Sequence, residues 1–139
     1  MDLSECLAKG YLERISPDRE LAEKEAKEAS YDLGKAKKAF EEKDFKWSIV
    51  KGYYAMFHIA RALLFFSGFR EKRHFAIAVA LEEISKSGKI LPSLVNDFKA
   101  GMSAREDADY HYIYSENTAR EMLEIANDFS KNIKMAVDS

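Results

Sequence analysis

The chain has 139 residues, a net charge of −2, and 47% hydrophobic and 33% charged residues. These values exclude a disordered chain and indicate one soluble folded domain that buries its own core. They also exclude nucleic-acid binding through overall charge, so a contact with RNA or a nucleotide requires a local patch.

The N-terminal segment predicts two helices and no targeting sequence. Its early acidic residues and its lack of a long apolar run argue against a signal peptide. Residues 3–15 fit a short amphipathic helix that Gly10 weakens. The triplet Ser16–Asp18 offers a cap residue, a proline and an acid, so it predicts the start of a second helix that runs to about Glu42. The single cysteine, Cys6, excludes an internal disulfide and fits a reducing cytoplasm as a small apolar residue.

The most apolar stretch, residues 48–68, predicts a central helix. It is apolar around most of its circumference, so several neighbouring helices must bury it. Asp44 is placed to cap its start and Gly68 to end it. One polar stripe runs along it at steps of three, four and three residues, formed by Lys51, Tyr54, His58 and Arg61. Two interpretations of this stripe stay open: a solvated edge of long side chains, or one wall of a site for an anionic ligand. The apolar part is short and carries charges, so we expect no membrane contact.

The second half of the chain predicts three further helices. Their expected bounds are residues 71–87, 91–104 and 115–136. A basic turn precedes the first of these helices and contains Arg70, Lys72, Arg73 and His74. Two interpretations of this turn stay open: a solvated surface, or a site for an anion or an acidic partner. No segment alternates apolar and polar residues for long enough to predict a sheet. The predicted fold class is therefore all-α, an up-and-down helical bundle of five or six helices. The chain is expected to form a single domain, residues 1–139, with its core at about residues 17–136.

Metal and cofactor sites have no support in the sequence. The three histidines, His58, His74 and His111, have no partner at metal-ligand spacing, and the paired Glu-x-x-His motifs of carboxylate-bridged bundles do not occur. Neither common glycine-rich phosphate loop is present. We therefore expect no metal and no cofactor.

The segment from Arg105 to Tyr114 is the strongest candidate for chemistry. A guanidinium such as that of Arg105 can bind a phosphate and stabilise the charge that develops in a transition state. The imidazole of His111 is of the kind that serves as general base on a ribose 2′-hydroxyl or as acid on the leaving oxygen. Tyrosines can stack on unpaired bases. Because a regular helix places residues six positions apart on different faces, this chemistry requires an irregular helix or a second subunit.

The same segment also has a structural alternative. Asp109 lies four residues after Arg105, a spacing at which opposite charges pair on a helix. Tyr110 and Tyr114 would then pack against the bundle with their hydroxyls hydrogen-bonded. Residue chemistry alone leaves both interpretations open.

Three stretches resemble the HEPN domain, a helical domain of nucleotide-binding proteins in higher eukaryotes and prokaryotes. They are the run at residues 53–68, the turn from Gly68 to His74, and Arg105–Tyr110, which is similar to the Arg-x-x-Ala-Asp-Tyr signature of small prokaryotic members. The resemblance covers about residues 18–135. It implies a helical bundle that forms homodimers and is often encoded beside a minimal nucleotidyltransferase, as a toxin–antitoxin pair.

The resemblance also implies an activity. Many HEPN proteins are metal-independent endoribonucleases in which a histidine follows an arginine after four to six residues, and here five residues separate Arg105 from His111. In the family the two motifs of a dimer meet in a cleft at the interface. By this resemblance Arg105 would bind the scissile phosphate, His111 would act as general acid or base, and Asp109 would orient one of them. The expected substrate-binding residues are Tyr110, Tyr114, Lys51, Tyr54, His58 and Arg61.

The sequence departs from the ribonuclease members at one position. A tyrosine often follows their histidine by two positions, whereas Ile113 stands there in this chain, between Tyr112 and Tyr114. The Arg-x-x-Ala-Asp-Tyr form also belongs to a branch in which nucleotide binding, or support of the transferase, is an alternative role. Two functions are thus predicted: a cytoplasmic homodimeric ribonuclease that is the toxin of a pair, or a non-catalytic module that binds a nucleotide or the nucleotidyltransferase.

Overall fold

A computed structural model describes residues 1–139 and shows a helical bundle with one small two-stranded ribbon. Six helices are present, so the prediction of an all-α bundle of five or six helices is confirmed. In chain order the elements are α1 (Leu3–Ala8), β1 (Leu12–Arg14), α2 (Arg19–Glu41), α3 (Phe45–Ser67), β2 (Phe69–Glu71), α4 (Phe75–Lys86), α5 (Pro92–Tyr110) and α6 (Glu116–Asp138).

Helix α3 is the centre of the bundle, as its apolar sequence predicts. It packs against α2, α6, α5 and α4. The Asp44 carboxylate accepts a hydrogen bond from the backbone N–H of Trp47 at 3.1 Å, which satisfies a donor that the first turn leaves unpaired. Gly68 ends the helix in the left-handed region, at a φ of +88°. By length and composition α3 is apolar enough to cross a membrane, but 72% of its most apolar window is buried inside the protein, as in a core helix.

The prediction that the chain forms no sheet is wrong for six residues. Strand β1 pairs antiparallel with β2, with Arg14 opposite Phe69 and Leu12 opposite Glu71. The expected N-terminal helix stops at Ala8, and Gly10 turns the chain at a φ of +73°. Strands of three residues are too short to show the alternation of apolar and polar residues that reveals a strand in a sequence.

Three predicted helix ends also differ from the structure. Asp18, not Ser16, caps α2, because its carboxylate accepts the backbone N–H of Leu21 at 3.0 Å. Helix α4 begins at Phe75 because Glu71, its predicted start, lies in β2 and residues 72–74 form a turn. Helix α5 ends at Tyr110 and not at residue 104, so it takes the longer course that the sequence leaves open, and it buries Ala108 against the bundle.

Ion pairs join the polar stripe of α3 to carboxylates on α2 and β2. Asp32, which is only 3% exposed, accepts a hydrogen bond from the Lys51 ammonium at 3.2 Å. The other pairs are His58 Nδ1 to Glu25 at 2.6 Å, Arg61 to Glu25 at 3.0 Å and Arg61 to Glu71 at 3.1 Å. The stripe therefore faces a half-buried seam of opposite charge.

This seam gives a test of the fold. Asp32→Ala should lower the free energy of unfolding by roughly 3 kcal/mol, because it leaves Lys51 without its buried partner. Glu23→Ala is the control, since Glu23 also lies on α2, is exposed and takes part in none of the ion pairs of the seam; we expect a change within about 0.5 kcal/mol. Urea denaturation followed by circular dichroism measures both, and equal midpoints for the two variants would contradict a stabilising role of the seam.

Candidate active site around Arg105 and His111

Helix α5 directs the Arg105 side chain against α3, where it contacts Tyr53 and Tyr54. One guanidinium nitrogen, Nη2, donates a weak hydrogen bond of 3.4 Å to the Tyr54 hydroxyl. Arg105 Nε lies 2.9 Å from Asp109 Oδ2, one turn later on α5. The guanidinium also lies over three rings, at 6.0 Å from Tyr53, 5.8 Å from Tyr54 and 5.5 Å from Tyr110. The arginine is therefore fixed by one carboxylate and an aromatic wall.

The surroundings of Arg105 keep it positively charged. Burial lowers the pKa of its guanidinium, but Tyr54, Asp109, Tyr110 and Tyr53 raise it, and the net pKa is higher than the ordinary value. The Nε atom is buried and has no hydrogen-bond partner, because its N–H does not point at the nearby Asp109 oxygen. The Arg105 side chain remains 21% exposed. A cation that has unused donors and is still reachable from solvent suits an anionic ligand such as a phosphate.

His111 lies directly after the last residue of α5, and Asp107 holds the turn around it. The Asp107 carbonyl accepts the backbone N–H groups of His111 at 3.1 Å and Ile113 at 2.9 Å. The Asp107 carboxylate lies 3.1 Å from His111 Nδ1. This contact leaves Nε2 free, and the imidazole is 65% exposed. A histidine held through one ring nitrogen, with the other open to solvent, has the arrangement of a general base or acid.

Four large apolar or aromatic side chains lie uncovered beside this turn. Their exposed fractions are 64% for Tyr110, 74% for Tyr112, 57% for Ile113 and 45% for Tyr114. The Lys46 ammonium lies 5.6 Å from the Tyr112 ring and 6.0 Å from the Tyr114 ring. The structural alternative predicts an Asp109–Arg105 ion pair and packed tyrosines with hydrogen-bonded hydroxyls. The ion pair is present, whereas Tyr110 and Tyr114 are exposed. Such an exposed cluster is typical of a surface that contacts a partner or a ligand.

The structure brings some of the predicted site residues together and separates others. Arg105, Asp109, Tyr110 and Tyr54 form one cluster. No hydrogen bond or ion pair joins His111 or Tyr114 to this cluster. The other members of the α3 stripe, Lys51, His58 and Arg61, are engaged by carboxylates of the seam. Substrate binding by these three residues stays a prediction.

Two features of the site are absent from the sequence-based assignment. Asp107 contacts His111, and its spacing of four residues on a helix is the signal that could have revealed it. Glu28, Asp32 and His58 have ligand atoms within 4.8 Å of one another, a grouping that could hold a metal ion. The sequence hides it because the residues come from two helices. The Lys51 ammonium already neutralises Asp32 and competes with a cation there.

Comparison with known proteins gives one family. The family model of the HEPN domain matches residues 22–135. This region contains Arg105 and His111 and nearly all residues of helices α2 to α6. Helix α1 and strand β1 precede the matched region. A search of curated proteins gave no match.

Proposed function

The chain belongs to the HEPN domain family, and on that premise we propose that it is a metal-independent endoribonuclease that acts as a homodimer. We further propose that it is the toxin of a toxin–antitoxin pair with a minimal nucleotidyltransferase. One observation carries the enzymatic part: an arginine held by Asp109 and an exposed histidine held by Asp107 lie at the spacing of the family's ribonuclease motif. The pairing with a nucleotidyltransferase rests on the likeness of Arg105–Tyr110 to the signature of members that have such a partner.

The proposed reaction needs the side chains of the protein and solvent water. The ribose 2′-oxygen attacks the adjacent phosphorus, a 2′-O–P bond forms, and the bond between phosphorus and the 5′-oxygen breaks. One proton leaves the 2′-hydroxyl and another is added to the 5′-oxygen, so the products are a 2′,3′-cyclic phosphate and a 5′-hydroxyl. His111 Nε2 exchanges one of these protons, water exchanges the other, and Arg105 stabilises the negative charge on the phosphate oxygens.

Asp109 and Asp107 each position one of the two proposed catalytic side chains. Asp109 contacts Arg105, so of its two predicted roles the structure favours orienting the arginine. Asp107 contacts His111 Nδ1 and keeps Nε2 pointing outward. Tyr110 and Tyr114 offer exposed ring faces on which unpaired bases could stack.

A second protomer would complete the site. Arg105 contacts α3, whereas His111 is 65% exposed, and no contact joins the two side chains within one copy. The uncovered side chains of Tyr110, Tyr112, Ile113 and Tyr114 lie at this same end of α5. A two-fold interface there would bury them and bring each arginine toward the other copy's histidine.

A non-catalytic role is the second candidate, and the ion pair of Arg105 favours it. Asp109 neutralises the guanidinium that would otherwise meet a phosphate. In this role the exposed tyrosines would stack on a nucleotide or contact the nucleotidyltransferase, and the protein would cleave nothing. Saturable nucleotide binding without RNA cleavage in a clean preparation would identify it.

Analysis of reaction products tests the proposed chemistry. RNA incubated with the protein should yield fragments that end in a 2′,3′-cyclic phosphate and begin with a 5′-hydroxyl. Mass spectrometry of the fragments distinguishes these ends from the 3′-hydroxyl ends left by attack of a water molecule with loss of the 3′-oxygen. Fragments with 3′-hydroxyl ends would contradict the proposed attack by the 2′-oxygen.

Asp107→Asn should lower kcat about tenfold and leave KM nearly unchanged, because the imidazole loses the group that holds its orientation while the groups that bind RNA stay in place. Glu106→Gln is the matched control, since Glu106 is the preceding residue, is exposed and forms no ion pair. Steady-state cleavage of a fluorogenic oligonucleotide gives both constants. A rise in KM with constant kcat would place Asp107 in substrate binding instead.

A further inference from the structure

We propose that the β1–β2 ribbon and the turn after it bind the RNA backbone outside the cleavage site. The proposal rests on the proposed ribonuclease function and names a surface for the substrate that lies away from Arg105 and His111. Its residues are Arg14, Arg19, Arg70, Arg73 and His74, all of them exposed. Lys72 lies in the same turn but pairs with Glu13 of β1 at 3.5 Å.

The arginines of the chain divide into two groups. Arg61, Arg105 and Arg120 each pair with a carboxylate. The remaining four of the seven have no carboxylate within 4.0 Å, and they are Arg14, Arg19, Arg70 and Arg73. All four come from the ribbon or the residues flanking it. A chain with a net charge of −2 therefore gathers its unpaired guanidinium groups around the ribbon, where the register places Arg14 and Arg70 on opposite faces and Glu13 opposite Arg70.

These guanidinium groups are held in place by rings. Arg14 lies 5.2 Å from the centre of the Phe69 ring, Arg70 lies 5.7 Å from Phe65, and Arg73 lies 5.7 Å from Tyr11. Arg19 lies 5.3 Å from Phe66, whose ring also carries Lys89 at 4.8 Å. An arginine that stacks on a ring keeps its N–H donors free at the edge, where they can meet phosphate oxygens.

The ribbon is a rigid base for these side chains. Gly68 fits closely under it, because a Cβ atom added there would lie 3.0 Å from the carbonyl oxygen of Ile15. The backbone N–H of Ile15 donates to the Gly68 carbonyl at 2.9 Å, and that of Lys72 donates to the Tyr11 carbonyl at 2.8 Å. The cations are thus fixed relative to the end of α3.

One face of α3 connects this basic surface with the candidate active site. Arg105 contacts the Tyr54 hydroxyl, Tyr54 packs against Phe57 at 6.2 Å, and the His74 ring lies 4.6 Å from that of Phe57. From Tyr54 to Phe65, the ring beneath Arg70, the helix rises about 16 Å. The Arg61 guanidinium covers two rings of this face, at 5.4 Å from Phe57 and 5.2 Å from Phe65, and it pairs with Glu25 and Glu71. The face between Tyr54 and Phe65 therefore belongs to the seam, and the RNA contact that we propose is made at the ribbon and its turn themselves.

Charge removal tests the proposal in a protein made cleavage-deficient by His111→Ala. The double variant Arg70→Gln, Arg73→Gln should bind a single-stranded RNA of about 20 nucleotides roughly tenfold more weakly. The slope of log affinity against log salt should fall by about 1.4, because each phosphate that an arginine no longer neutralises contributes about 0.7. Lys37→Gln with Lys131→Gln removes the same charge from exposed lysines without ion pairs and should keep the parent affinity and slope. Fluorescence anisotropy at several salt concentrations measures both.

The outcomes separate this proposal from the ribonuclease function. If the parent protein with His111 cleaves RNA but the arginine and lysine variants give the same slope, the ribbon proposal is overturned and the ribonuclease function stands. If the parent cleaves no RNA but binds it with a slope that only the arginine variant reduces, the ribonuclease function fails and the ribbon proposal stands. Should the double variant unfold, Arg70→Gln and Arg73→Gln are measured singly, and the proposal then requires each folded single variant to reduce the slope by about 0.7; the parent slope in both would overturn it.

Discussion

Arg105→Ala should lower kcat/KM for RNA cleavage by about a thousandfold or more. Arg105 is the positive group that the fold fixes toward α3, through Asp109 and Tyr54. Loss of a fixed arginine that stabilises a phosphoryl transition state typically lowers the rate by about 10³-fold or more. Arg105→Lys should recover little of the activity, because an ammonium cannot offer two parallel donors or stack on the three tyrosine rings. Initial rates on a fluorogenic oligonucleotide measure both variants.

Arg120→Ala is the matched control for this prediction. Arg120 also pairs with a carboxylate one helical turn away, Glu116 at 3.1 Å, but it lies on α6 and is about half exposed. We expect its kcat/KM to stay within twofold of the parent. Thermal unfolding of all three variants shows whether the fold is kept. A folded Arg105→Ala protein that cleaves at the parent rate would remove Arg105 from the mechanism.

Mixing two inactive variants should restore cleavage to about a quarter of the parent activity. In a two-fold dimer whose sites each join Arg105 of one copy with His111 of the other, an Arg105→Ala and His111→Ala heterodimer has one intact site and one site that lacks both residues. Random exchange makes about half of the dimers heterodimers, so about a quarter of all sites are intact. Each variant alone should show almost no cleavage, so this is a large gain over background.

The control for mixing is a dimer that carries both substitutions in one chain. Mixed with the parent, this double variant forms heterodimers in which each of the two sites lacks one residue, so mixing adds no intact sites. Size-exclusion chromatography with light scattering should show dimers in every sample. If the mixture of single variants stays inactive while dimers exchange, the pair of residues does not act across the interface.

Local sequence signals predicted those parts of the fold that depend on near neighbours. Asp44, Gly68 and Ser115 were assigned as helix ends from their residue type, and each forms the expected cap because capping involves only the next few residues. The apolar circumference of α3 likewise predicted its central place, since a helix that is apolar on most sides must be covered.

Distant pairings were not predictable in the same way. The partners of β1 lie more than fifty residues later in the chain, at Phe69–Glu71, and strands of three residues leave no pattern. Gly52 on α3 lies close to α6, where a Cβ added to it would be 3.1 Å from the side chain of Met122, a contact that no local pattern marks. The sequence placed Asp109 near Arg105, but the contact of Arg105 with Tyr54, 51 residues away, depends on how α5 packs on α3.

The candidate site was found through residue chemistry and resemblance, and its geometry came from the structure. Asp109 had two predicted roles, and its contact with Arg105 favours one of them. Asp107 was overlooked because His111 was weighed against Arg105 and not against its own helical neighbour. The seam also shows why a polar stripe on a helix does not define a cleft: three of its four members meet carboxylates that the stripe itself cannot reveal.

Cleavage of RNA in the presence of a chelator tests the central claim most directly. Purified parent protein and His111→Ala should each be incubated with structured and unstructured RNA in excess EDTA, with fragments resolved on a denaturing gel. We predict that the parent cleaves and that His111→Ala is slower by at least about 10²-fold, because the imidazole supplies the proton transfer. Cleavage by the parent that EDTA abolishes, or equal cleavage by both proteins, would contradict a metal-independent mechanism that uses His111.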